Sequence, residues 1–133
     1  MNPIAYFFWL IKQASGGLVC LWPVTLGILI FAIVALIFVL KNRKEAFQQN
    51  YKFLAAPLAG TGIILLVGVL LEKKENFVFT SYLAAGLTVL LAGISTYKAK
   101  NIWPVSISSS LLILWFSFWC WFVSIMSITG DWL

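Results

Sequence analysis

LVCLWPVTLGILIFAIVALIFVL, Leu18 to Leu40, is followed at once by KNRK, Lys41 to Lys44. An uncharged run of this length reaches roughly 35 Å as a helix, enough to cross a hydrocarbon core of about 30 Å. The basic cluster then stops it where polar headgroups would begin. Three further stretches repeat the pattern: Phe53 to Leu71, closed by Glu72-Lys73-Lys74-Glu75; Phe77 to Tyr97; and Val105 to Ile128, opened by Trp103-Pro104. Each is about twice the ~10 residues of a transmembrane strand and lacks dyad alternation, so all four read as helices. Residues 72–76 and 98–104 are only long enough to turn the chain back, which makes the second, third and fourth spans antiparallel neighbours.

Composition agrees with this reading. Hydrophobic residues make up 62% of the chain and charged residues 10%, and the mean hydropathy is +1.01, all far from a water-soluble domain. Residues 1–133 leave no length for a second, soluble unit. The predicted fold is an all-α integral membrane protein, a single four-transmembrane-helix bundle over spans 18–40, 53–71, 77–97 and 105–128.

Before the first span, Asn2-Pro3 forms an N-cap with Pro at N1, and Ile4, Phe7, Phe8 and Ile11 share one helical face. Gly16-Gly17 reads as the stop. The pattern predicts a short interfacial helix over 3–14, with Tyr6, Trp9 and Lys12 at the level of the headgroups. A cleaved signal peptide fits less well: the run that follows is too long for an h-region, no small-residue cleavage site precedes Lys41, and a basic stop follows.

Lysine and arginine set the orientation. Lys41, Arg43, Lys44, Lys52, Lys98 and Lys100 fall on one side and Lys12, Lys73 and Lys74 on the other, six against three. Short cytoplasmic loops carry the excess, so 41–52 and 98–104 are expected in the cytoplasm and both termini outside it, in a cell membrane of the bacterial inner type. The net charge of +5 is thereby a topology signal, and no nucleic-acid partner is expected.

Small residues recur at heptad spacing in the last two spans. Ser81, Ala85, Thr88, Ala92 and Ser95 form one stripe; Ser106, Ser110, Ser117, Cys120, Ser124 and Ser127 form another, interrupted by Ile113. Such stripes let backbones approach closely and let hydroxyls bond across helices, so they predict a helix-packing seam between the third and fourth spans. Ala55, Ala59 and Gly62 would add the second span as third partner. On the opposite side of the fourth span, Trp115, Trp119, Phe122 and Met126 align at i, i+4, i+7 and i+11. Trp is commoner at the interface than at mid-membrane, so this aromatic face is a candidate partner surface, with lipid or the first helix as the plainer occupant.

Reactive chemistry is sparse. With no histidine in the chain, histidine-ligated haem, the usual zinc and copper sites and histidine-assisted nucleophiles have no ligand or base. Cys20 and Cys120, a hundred residues apart, read as packing residues, with a disulfide between them the alternative. Glu45, Glu72, Glu75 and Asp131 all lie outside the spans, which disfavours an exporter that needs a buried carboxylate. No catalytic, cofactor or metal site is predicted. Pro104 starts the fourth helix and Pro57 sits in the first turns of the second; Pro23 either kinks the first or marks its true start.

The expectation is a non-enzymatic protein that works by contact within the bilayer. Its partner would be another integral or membrane-inserted protein, or further copies of itself. Most concretely it would be an immunity protein, a bodyguard against a pore-forming toxin, or an accessory subunit of a membrane complex. In size and helix number the chain is similar to bacterial immunity proteins of pore-forming colicins, a likeness of gross architecture that carries over no motif and no residue. The alternative is enclosure: an oligomeric channel or uniporter for a small neutral solute, lined by the Ser and Thr residues of the third and fourth spans.

Overall fold

The computed structural model describes residues 2–130. Asp131 and the two residues after it lie outside that range. Among the described residues all regular structure is helical: α1 (Pro3–Cys20), α2 (Trp22–Asn42), α3 (Lys44–Asn50), α4 (Ala56–Leu70), α5 (Val78–Lys98) and α6 (Trp103–Thr129). Short 3-10 turns at Tyr51–Ala55, Glu75–Phe77 and Lys100–Ile102 lead into α4, α5 and α6. Four helical segments are long and apolar enough to cross a membrane: Trp22–Asn42, Lys44–Leu70, Glu75–Lys98 and Lys100–Thr129.

The N-terminal segment departs from its expected form. Asn2 caps α1 through its side-chain oxygen, which accepts from the Ile4 N–H at 3.0 Å, but the helix runs through Gly16 and Gly17 and ends only at Cys20. The break belongs to Pro23, which has no N–H to donate and whose ring excludes the carbonyl four residues earlier. Leu21 therefore leaves helical geometry, with φ −106° and ψ 48°, and α2 begins at Trp22 rather than Leu18. The buried face of α1 is Tyr6, Leu10, Ala14 and Gly17. Ile4 and Phe8, from the face that the periodicity singled out, are 68% and 63% exposed.

α4, α5 and α6 pack on one another as a three-helix core, with α1 and α2 laid along α6. α1 runs antiparallel to the C-terminal half of α6: Tyr6 meets Ser127, and Gly17 lies against Trp119. α2 continues toward the other end, where Ala35 and Val39 are buried with Ala99, Ile102 and Val105. Together, α1 and α2 form one broken rod beside α6. At the α4–α5 turn, Lys73 takes a left-handed φ of 59° and donates its N–H to the Ser127 carbonyl at 2.9 Å.

Candidate functional site: the seam and the outward face of α6

α4 is the hub of the small-residue seam. Gly60 lies so close to Thr88 that a Cβ there would collide with the threonine backbone, and a Cβ on Gly68 would meet Ser124 Oγ at 2.7 Å. These two glycines, eight residues apart and on one face, let α4 sink between α5 and α6.

Hydroxyls then tie the three helices. Ser117 and Thr61 share a hydrogen bond of 2.5 Å between α6 and α4. Thr61 Oγ1 also lies 3.3 Å from the Pro57 carbonyl, and either hydroxyl can donate in the Thr61–Ser117 pair. Ser124 Oγ donates to the Ile64 carbonyl at 2.9 Å and Ser127 Oγ to the Gly68 carbonyl at 2.7 Å. Because Ser127 has one proton and it faces a carbonyl, Tyr6 must donate the 2.6 Å bond between Tyr6 OH and Ser127 Oγ. One serine thus joins α1, α4 and α6.

The predicted seam residues are placed as follows. Ser81, Thr88, Ala92 and Ser95 are buried on α5, and Ala85 is half-buried. Ser106, Ser110, Ser117 and Ser124 are buried on α6. Only Ser110 bonds directly to α5, through Thr96 Oγ1 at 3.3 Å. Ser117 and Ser124 reach α4 instead, and Ser95 donates to the Phe53 carbonyl at 2.5 Å where the second span begins. The Ser81 and Ser106 hydroxyls are buried without a hydrogen-bond partner. Ala55 and Ala59 are exposed, and a Cβ on Gly62 would meet nothing, so that stripe faces away from the core. The sequence reading missed Gly60, Thr61, Ile64 and Gly68; the step of four from Gly60 to Ile64 to Gly68, with Thr61 three before Ile64, was the available signal.

Much of the aromatic face assigned to a partner lies against this chain's own N-terminal rod. Trp115 Nε1 donates to Thr25 Oγ1 on α2 at 2.9 Å. Trp119 covers Gly17, where any Cβ would clash with the indole. Phe122 and Met126, with Trp119, line a gap of about 330 Å³ whose other wall is Gln13, Gly16 and Cys20 of α1. The rod occupies this side because α1 carries small residues, Ala14 and Gly17, where the bulky ones of α6 protrude.

What α6 leaves outward is a different set. Phe118 is 46% exposed and stacks on Trp115 with centroids 6.1 Å apart and planes 9° from parallel. It forms a ridge between two apolar grooves. One, about 310 Å³, runs toward α5 over Ala85, Thr88, Val89, Leu114 and Trp121. The other, about 330 Å³, runs toward α2 over Ile28, Leu111 and Leu114. Trp121 is fixed at the first groove by an edge-on contact with Tyr82, 5.5 Å between centroids.

Cys20 is exposed and Cys120 buried, both free thiols, and no group of three or more potential metal ligands exists among the described residues. The chain matches no protein-family model, and no curated protein or solved structure is similar to it.

Proposed function

We propose that this chain is an integral membrane protein that acts by contact with another membrane-inserted protein, received on the α6 face around Phe118. Supporting the membrane placement, four helical segments are long and apolar enough to cross a membrane, and charged residues stand near their ends everywhere but before Trp22, where the nearest is Lys12. α1, 18 residues and so roughly 27 Å long, lies beside the C-terminal half of α6. Lys12 is six residues, roughly 9 Å, along α1 from Tyr6. Its Cβ tilts toward the helix N-terminus, so the exposed amine snorkels to the same headgroups as Lys73 and Lys74. The basic loops face the cytoplasm in this reading, as the excess of lysine and arginine requires.

One observation carries the choice of contact over enclosure. The hydroxyls of Thr61, Ser117, Ser124 and Ser127 are engaged between α4 and α6, where Gly68 brings α4 against Ser124, while Gly60 brings α4 against Thr88 of α5. A polar path needs hydroxyls facing free space. The groove beside the aromatic ridge touches Thr88 and Ser117, but the rest of its lining is Ile64, Ala85, Val89, Leu114, Phe118 and Trp121, an apolar surface on which a partner helix gains packing rather than a polar path. An immunity protein against a pore-forming toxin and an accessory subunit both fit this surface.

The test is purification from native membranes in nanodiscs, wild type beside Phe118→Ala/Leu114→Ala. The expected result is a stoichiometric partner held by the wild type and lost by the double variant. A partner retained equally by both rules out this face. Toxin challenge then separates the two forms, since only a bodyguard protects cells that express it.

A further inference from the structure

We propose that the basic end of the bundle is a docking surface for anionic phospholipid headgroups. The inference rests on the membrane placement proposed above. Loops far apart in sequence are locked there into one base. Arg43 Nη1 donates to the Asn101 carbonyl at 2.9 Å, Ser95 Oγ to the Phe53 carbonyl at 2.5 Å, and Val39, Ala99 and Ile102 are buried beneath, with Phe47 and Leu54 packed against them. Lys41, Lys44, Lys52, Lys98 and Lys100 stand exposed on this base beside Arg43, with Glu45 the one acidic side chain at that end among the described residues.

Aromatic residues place these charges at headgroup depth. Tyr51, Tyr97 and Trp103 are exposed at the same end, the position that amphipathic rings take between acyl chains and water. Lys100 Nζ lies 5.2 Å from the centre of the Tyr97 ring. The opposite end differs: in the α4–α5 turn Glu72 and Glu75 balance Lys73 and Lys74. Attraction for phosphate is therefore one-ended. A juxtamembrane cluster of four to eight basic residues is what anionic leaflets recognise. Free phosphate shares the charge but not the depth, so the lipid is the occupant to which the surface commits.

The full chain, exchanged into mixed micelles of phosphatidylglycerol and phosphatidylcholine, is released into a native mass spectrometer and the retained lipids are counted. Wild type should prefer phosphatidylglycerol by roughly tenfold or more. Lys41→Gln/Lys44→Gln/Lys98→Gln/Lys100→Gln should bring retention near parity, and Lys98→Glu alone should lower it severalfold if the quadruple variant does not fold. Lys73→Gln/Lys74→Gln at the other end should keep the full preference. Parity in the wild type, an equal loss in the Lys73/Lys74 control, or displacement by millimolar inorganic phosphate overturns the proposal. A chain that stays soluble without detergent or lipid overturns the membrane placement instead, before any selectivity is read.

Discussion

Trp115 on α6 and Thr25 on α2 are joined by a hydrogen bond of 2.9 Å from the indole Nε1 to the threonine Oγ1. The same hydroxyl lies 3.0 Å from the Leu18 carbonyl, to which its one proton goes, since the Leu21 carbonyl, 3.3 Å away, already accepts from the Val24 and Thr25 N–H groups. The N-terminal rod is fastened to α6 at the point where it bends. Trp115→Phe should keep the stacking on Phe118, leave Thr25 with its backbone acceptor, and cost about 0.6–1.7 kcal/mol. Reversible unfolding in mixed micelles, followed by denaturing-detergent titration, measures this.

Gly60 and Gly62 make a matched pair on α4. A Cβ at Gly60 runs into the Thr88 backbone, whereas one at Gly62 meets nothing within 4 Å. Gly60→Ala should lower stability by about 1–3 kcal/mol, the ordinary cost of overpacking. Gly62→Ala should stay within about 0.5 kcal/mol of wild type in the same titration.

The four long apolar helices were legible because uncharged runs of this length, interrupted by short charged stretches, leave little else for the chain to form. Most bounds moved by only a few residues. The break before α2 was readable in Pro23, but Gly16-Gly17 misled: glycine ends a helix only where a left-handed turn or lost packing follows, and here Gly17 is kept in the helix to admit Trp119. Seam residues were legible as small and polar. Their partners were not, since heptad spacing tells which residues share a face and not which helix that face meets. Between the two occupants open to the aromatic face, a partner or the plainer lipid and first helix, the sequence could not choose for the same reason: placing Trp119 needed the knowledge that Gly17 lies opposite.

Ser117 separates packing from enclosure. Ser117→Ala removes one interhelical hydrogen bond and should cost about 0.6–1.7 kcal/mol, while Ser117→Leu must push α4 and α6 apart and should cost more, or prevent purification as a monodisperse species. In liposomes, wild type and Ser117→Ala should both give water and small-solute permeation at the level of empty vesicles. Permeation that rises with wild-type protein and changes in the alanine variant favours enclosure.

Orientation is open to direct mapping. Single cysteines introduced at Lys44 and Lys100, in a background with Cys20 and Cys120 replaced by Ala and Ser, should resist a membrane-impermeant maleimide on intact cells and react after permeabilisation. A cysteine at Lys74 should react on intact cells. The reverse pattern inverts the topology.

The most direct measurement is photo-crosslinking from position 118 in native membranes, with a crosslinking residue at Leu90, which is 60% exposed on α5, as the control. A discrete protein adduct from position 118, absent from position 90, is the predicted result. Adducts to lipid alone at position 118, or the same protein adducts from both positions, would contradict contact through the α6 face.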